Sequence, residues 1–285
     1  MSSSSSHPST GLRDNLSRIK RSSPFSSALF AGIRSADTFL QYGLVAYGLA
    51  SPGLRAIGVP ALPPFLPGPY SLPTLANFSA LPLQARLIIA FAAASSVKHV
   101  YWLYRIAETE MRPLDSFGIG FFNTLFNSLN SILWSIAPLA PLLPTAASSI
   151  LTTLGILSPA PRDLNSLPPA FILGTAMVVT GMLVETASEL QRRSFKARPE
   201  NKGKPFTGGL FGVARHINYG GYCLWRSGYA LAAAGPIWGG LVFWFFYYDF
   251  TRRGIPVLDR YCAGRYGEDW QQYRKNVRSS LLPGL

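Results

Sequence analysis

Charge is scarce in this chain, and negative charge is scarcer still. Of 285 residues, 14% are charged, and only 13 residues are Asp or Glu. A soluble domain usually carries about 25% charged residues, so a surface facing water all round is excluded. Cysteine and histidine are nearly missing. Cys223 and Cys262 form no Cys-x-x-Cys pair, and the histidines are His7, His99 and His216. These numbers exclude a structural zinc site and leave both cysteines as free thiols near the membrane. No signal peptide opens the chain, no internal repeat is visible, and no nucleic-acid recognition motif occurs.

What is present is apolar. Hydrophobic residues make up 48% of the chain, and the mean hydropathy is +0.19. Several long apolar runs point to an integral membrane protein, an all-α bundle of about six transmembrane helices. The net charge of +13 could suggest nucleic acid. The basic residues, however, cluster between the apolar runs, which is how loops facing anionic lipid are built. Residues 1–36 read as a disordered basic cytosolic tail, with a serine run at Ser2–Ser6 followed by Arg13, Arg18, Lys20 and Arg21 beside one acid, Asp14. An Arg- and Ser-rich start poor in acid is also how a mitochondrial transit peptide reads, so a mitochondrial membrane is the alternative to the endoplasmic reticulum.

The expected spans are about 38–57, 83–105, 117–139 and 170–190, with a tight pair between 219 and 250 that turns at Gly235-Pro236. The loop 59–73 holds Pro60, Pro63, Pro64, Pro67, Pro69 and Pro73 and cannot be helical. The middle of 138–169, residues 145–157, is too short and too polar to span. With six spans, nearly all the basic residues fall on one side, which puts both termini and the 191–218 loop in the cytosol. Asn123, Asn127 and Asn130 share one helix face. They line a polar cavity or bond neighbouring helices. The chain divides into the tail, an N-terminal transmembrane bundle over 37–190 on the substrate side, and a cofactor-binding region over 191–285.

Polar groups at a membrane edge are costly and usually have a task, and the last quarter concentrates them. Gln191, Phe195, Lys196, Pro199, Asn201, Lys202, Gly203 and Lys204 lead to Gly209-Leu210 and then to Arg215-His216-x-Asn218-Tyr219-x-Gly221. After the apolar pair come Gly254-Ile255-Pro256-Val257-Leu258-Asp259 and Cys262-x-x-Arg265-Tyr266-Gly267-x-Asp269-Trp270-x-x-Tyr273. Over about residues 185–285 this pattern resembles uncharacterised membrane proteins related to steroid 5-alpha-reductases. The Arg-His-x-Asn-Tyr block is also similar to that of the sterol C14- and C7-reductases. Those reductases carry Arg-Asp-Glu where this chain has Val257, Leu258 and Asp259. The Gly-Ile-Pro-x-Leu-acid string assigns it instead to the uncharacterised branch.

The resemblance implies NADPH in a cytosolic pocket beneath a helical bundle and hydride delivery to a carbon–carbon double bond of a lipid or steroid-like substrate. In that role Arg215 meets a cofactor phosphate, and Lys196, Lys202 and Lys204 meet the 2′-phosphate. His216, Asn218 and Tyr219 supply donors and acceptors, and Trp270 and Tyr273 stack on a ring or anchor at the interface. Tyr219, Tyr266 and Asp259 are the candidate proton donors. Isoprenylcysteine carboxyl methyltransferases share the architecture and use S-adenosylmethionine. Their motif has a proline and a later Glu pair that this chain lacks. A third reading is a membrane lipid-binding or scaffold protein without catalysis. The implied partners are a membrane lipid or hydrophobic small molecule, with no metal and no nucleic acid.

Overall fold

The computed structural model describes residues 17–136 and 163–284. The expectations for residues 145–157 and for the serine run lie outside them. Among the described residues there is no strand. The long helices are α1 (Pro24–Ala46), α4 (Leu83–Arg105), α5 (Pro113–Ile136), α6 (Pro169–Lys196) and α7 (Ile217–Asp249). Shorter ones are α2 (Ser51–Ala56), α3 (Leu75–Ser79), α8 (Ile255–Tyr266) and α9 (Glu268–Asn276).

α4 follows the apolar run as expected. α1 does not. It opens at Pro24 and ends at Ala46, whereas the sequence suggests a tail to residue 36 and a span over about 38–57. The reason is a buried ion pair. Arg34, assigned to the tail, and Asp37, at the first position after it, are both buried in the bundle, 2.9 Å apart. Gly48, at a φ of +59°, then breaks the helix where the span was expected to continue. Pro-rich residues 59–73 are non-helical, as expected, and fold back so that Phe65 donates its N–H to the Ala46 carbonyl.

α7 is a hairpin. Its helical geometry breaks at Ala234 and Gly235, where Gly235 has a φ of +85° ahead of Pro236. Leu231 lies against Gly239, and the Tyr219 ring stacks on Phe250 at 4.4 Å, so the two legs run antiparallel. Among the described residues, three stretches are long and apolar enough to cross a membrane: Leu83–Arg105, Pro169–Lys196 and Ile217–Tyr266. The apolar part of the last is the hairpin. Beyond it a π-helical turn, Phe250–Gly254, leads into the polar α8, which lies outside the spanning part. Val97, Phe117, Leu183 and Trp244 are exposed on the outer faces, as a lipid-facing surface requires. The protein is an integral membrane protein.

Glycines set the closest helix pair. A Cβ on Gly174 would lie 2.5 Å from the Gly228 carbonyl oxygen, and one on Gly221 would lie 2.7 Å from the Glu185 nitrogen. α6 and the first leg of α7 thus pack backbone to backbone, the small-residue contact of membrane helices. Two of the three asparagines of the row bond neighbouring helices. Asn127 donates to Asp37 at 2.7 Å and accepts from Arg226 at 3.1 Å, and Trp238 donates to Asn130 at 2.7 Å. Asn123 donates to the Ile119 carbonyl of its own helix.

Candidate functional site

At one end of the bundle α6, the loop behind it, the start of α7, and α8 and α9 surround a cavity of about 650 Å³. Along α6 the lining residues climb one face turn by turn, from Glu185 through Glu189, Arg192 and Arg193 to Lys196. At 1.5 Å per residue that ladder is about 16 Å long. Its inner end is acidic and aromatic, and its outer end is basic.

The inner acids are already partnered. Glu185 accepts from Lys98 at 2.6 Å and from the Trp225 indole at 2.7 Å. Glu189 pairs with Arg192 and accepts from Asn218 at 2.7 Å. The glycine contact between α6 and α7 brings these partners level with one another. His216 is buried, and its Nε2 lies 3.2 Å from Asp259. Burial alone would raise the Asp259 carboxyl. The His216 hydrogen bond and charge, with Arg274 and Arg215 nearby, outweigh it and hold that carboxyl below its ordinary value. Burial pushes the Cys262 thiol, also in the wall, up to about 11, so it is no thiolate nucleophile at neutral pH.

Most of the expected site residues meet here. Lys196, Lys202, Lys204, Arg215, His216, Asn218, Tyr219, Tyr266, Trp270 and Tyr273 all line the cavity. Four of them have other duties than expected. Arg215 donates from one terminal nitrogen to the carbonyls of Val277 (2.5 Å) and Arg278 (2.8 Å), so that part of its guanidinium pins the C-terminal segment. Tyr273 donates to the Phe211 carbonyl at 2.7 Å. Trp270 is buried with Tyr273 and Cys262 in a small core, so both rings support the wall. Asp259 is not part of the lining and stands behind His216.

Sequence reasoning missed two parts. Ser17, Arg18 and Lys20, assigned to the tail, fold over the cavity. Lys20 bonds Glu108 at 2.7 Å, Arg21 bonds Glu110 at 2.7 Å, and the Arg18 guanidinium sits 4.3 Å from the Tyr261 ring centre. The hydrogen bond from Lys20 outweighs burial and holds the Glu108 carboxyl low. The second is the acid pair Glu185 and Glu189. Its signal was available, because two carboxylates one turn apart in an apolar span need partners.

Comparison with known proteins fits this architecture. A family described as "Protein of unknown function (DUF1295)" matches residues 145–277. A probable O-methyltransferase, ustE, of Ustilaginoidea virens is 31% identical over 273 residues, 92% of this chain and 90% of that protein. The chain belongs to the DUF1295 family. This is the steroid-reductase-like group of membrane proteins. Delta(14)-sterol reductase ERG24A of Gibberella zeae is 28% identical over 177 residues, 45% of this chain and 36% of its own length. The 7-dehydrocholesterol reductase of Danio rerio is 36% identical over 89 residues, 30% of this chain and 18% of its own. These relatives are enzymes of two kinds, reductases and a methyltransferase.

The charges around the cavity are unequal. Ten basic side chains line it, from Arg18 to Arg265, against the three carboxylates Glu108, Glu185 and Glu189. All three carboxylates already hold a cation.

Proposed function

We propose that this DUF1295 protein is a membrane-bound, NAD(P)H-dependent reductase of a carbon–carbon double bond in a lipid or steroid-like substrate. The supporting observation is the excess of cations around the cavity. A dinucleotide with several phosphate charges is complementary to it, and Arg and Lys are the side chains that bind phosphate. S-adenosylmethionine, with a sulfonium and an ammonium against one carboxylate, carries net positive charge and is the poorer match to that field. Lys196, Lys202, Lys204 and Arg198 are the residues for the phosphates. His216, Asn218 and Tyr219 lie further in, where they can orient a cofactor ring. When bound, NADPH supplies the hydride. The bundle side, 37–190, receives the apolar substrate, and both termini face the cytosol from the endoplasmic reticulum membrane.

A second reading is methyl transfer from S-adenosylmethionine, and one observation favours it: the relative aligned over nearly the whole chain is a probable O-methyltransferase. Thermal melting of the purified protein with NADPH, NADH or S-adenosylmethionine separates the two. A ligand that binds only the folded state at a hundred times its Kd adds about 2.7 kcal/mol of stability. The reductase reading expects stabilisation by NADPH, and lipid products heavier by two hydrogens when membranes receive NADPH. Stabilisation by S-adenosylmethionine alone, with products heavier by a methylene group, rejects it.

A further inference from the structure

One buried cation has no counter-charge, and it sits against the inner end of the cavity. Arg226 is 1% exposed, inside the bundle on the first leg of α7. Among the described residues it joins no ion pair. Its Nη1 donates to Asn127 at 3.1 Å, its Nε donates to the Tyr222 hydroxyl at 3.2 Å, and its Nη2 is buried with no partner. Its other neighbours are rings, with Trp225 at 4.3 Å and Phe126 at 5.9 Å. Arg34 and Lys98, the neighbouring buried cations, each hold their own carboxylate, Asp37 and Glu185. An uncompensated charge in such surroundings costs several kcal/mol and calls for a reason.

Tyr222 supplies one. It lines the cavity at the level of Glu185 and Glu189, and it accepts rather than donates in its bond to Arg226. No described residue accepts its own O–H proton. The carboxylates at that depth, Glu185 and Glu189, each already hold a cation. The groups whose charge reaches the phenol are Arg226 on its own helix, Arg34 on α1 and Glu185 on α6. Only Arg226 bonds it directly.

We propose that Tyr222 is the proton donor of this site and that Arg226 is the positioning residue that stabilises the phenolate left behind. The proposal rests on the reductase reading. Hydride reaches one alkene carbon, the Tyr222 O–H bond breaks, and a C–H bond forms at the other carbon. NADPH, when bound, would supply that hydride and with it the two electrons that reduce the alkene. The phenolate then regains a proton from water. Among the described residues, no hydrogen bond from a cation to the hydroxyl of Tyr219 or Tyr266 matches the one from Arg226 to Tyr222.

The test uses the full chain in detergent and in membranes, with NADPH and a lipid extract. Tyr222→Phe should lose roughly 10²–10⁴-fold in turnover, the usual contribution of general acid catalysis. Its thermal stabilisation by NADPH should stay that of the wild type. Arg226→Lys should retain more turnover than Arg226→Met. The cofactor-free melting temperature of Arg226→Met should not fall, because removing an unpaired buried charge offsets its lost hydrogen bonds. Turnover of Tyr222→Phe within threefold of wild type overturns the proposal and leaves the reductase reading standing. A large fall in melting temperature for both Arg226 variants, with turnover falling only as folded protein is lost, marks Arg226 as purely structural and overturns its part. A wild type that neither binds NADPH nor turns over rejects the reductase reading, and this proposal with it.

Discussion

Placing a single methyl group at Gly221 tests whether the backbone contact between α6 and α7 sets the site. A Cβ there would lie 2.7 Å from the Glu185 nitrogen and 2.8 Å from the Gly181 carbonyl oxygen. Comfortable contact needs roughly 3.5 Å, so the helices must part by about 0.8 Å. Both obstacles are backbone, and no side-chain rotation relieves them. Overpacking of this kind costs about 1–3 kcal/mol, and the better helix propensity of alanine returns about 1 kcal/mol. The net loss is therefore up to about 2 kcal/mol, or a few degrees in Tm. The larger effect is on geometry. The Glu185–Trp225 and Glu189–Asn218 bonds, each 2.7 Å, cross this interface. Stretching them by that amount takes them past about 3.2 Å, the usual outer limit for such bonds. Displacement near 1 Å can cost about 10²-fold in rate. Gly221→Ala should thus lower Tm modestly and weaken NADPH stabilisation and turnover strongly. Gly240→Ala, where nothing lies within 4 Å of the new carbon, is the control and should leave both intact. A Gly221→Ala protein that melts, binds and turns over like the wild type would refute the reasoning.

Other outcomes follow from the same geometry. Arg215→Ala should loosen the C-terminal segment, at a cost of about 1–3 kcal/mol for unpaired carbonyl acceptors, read as faster proteolysis beyond residue 276. Lys202→Glu with Lys204→Glu should weaken NADPH stabilisation and reduce its salt dependence, with little change in the cofactor-free Tm. Glu108, held low by Lys20, contributes to holding residues 17–21 only while ionised. That contribution is present above the ordinary carboxylate value and is lost as pH falls through the lower folded value. Acidification and Glu108→Gln should both speed amide hydrogen exchange in that segment. Unchanged exchange in Glu108→Gln would reject the link.

The sequence disclosed those features whose physics is local. The bounds of α4 follow from one apolar run. The hairpin follows from Gly235-Pro236, because a glycine at positive φ before a proline stops a helix. The cavity wall followed from a string of spaced polar residues. What stayed hidden depends on partners far along the chain. Arg34 reads as a tail residue and Asp37 as the edge of a span until Ser95, Ser96 and Asn127 close around them. Lys20 looks like one more cytosolic charge until Glu108 meets it. Nothing near Arg215 in sequence reveals that one of its guanidinium nitrogens also holds carbonyls 62 and 63 residues later.

The polar seam between α1 and α5 bears on how the chain enters its membrane. α1 carries Arg34, Asp37 and Gln41 on its buried face, and α5 carries Asn123, Asn127 and Asn130. Neither is among the stretches apolar enough to cross alone. A single Arg or Asp at the centre of a lone helix already costs about 2.5–3.5 kcal/mol on insertion. α1, though made before α4 and α5, is therefore expected to stay unintegrated until those two have emerged and offered it partners. Glycosylation-site mapping of ribosome-bound truncations gives the order directly. A chain ending before α5 should leave α1 uninserted, and Asp37→Leu combined with Arg34→Leu should let it enter early.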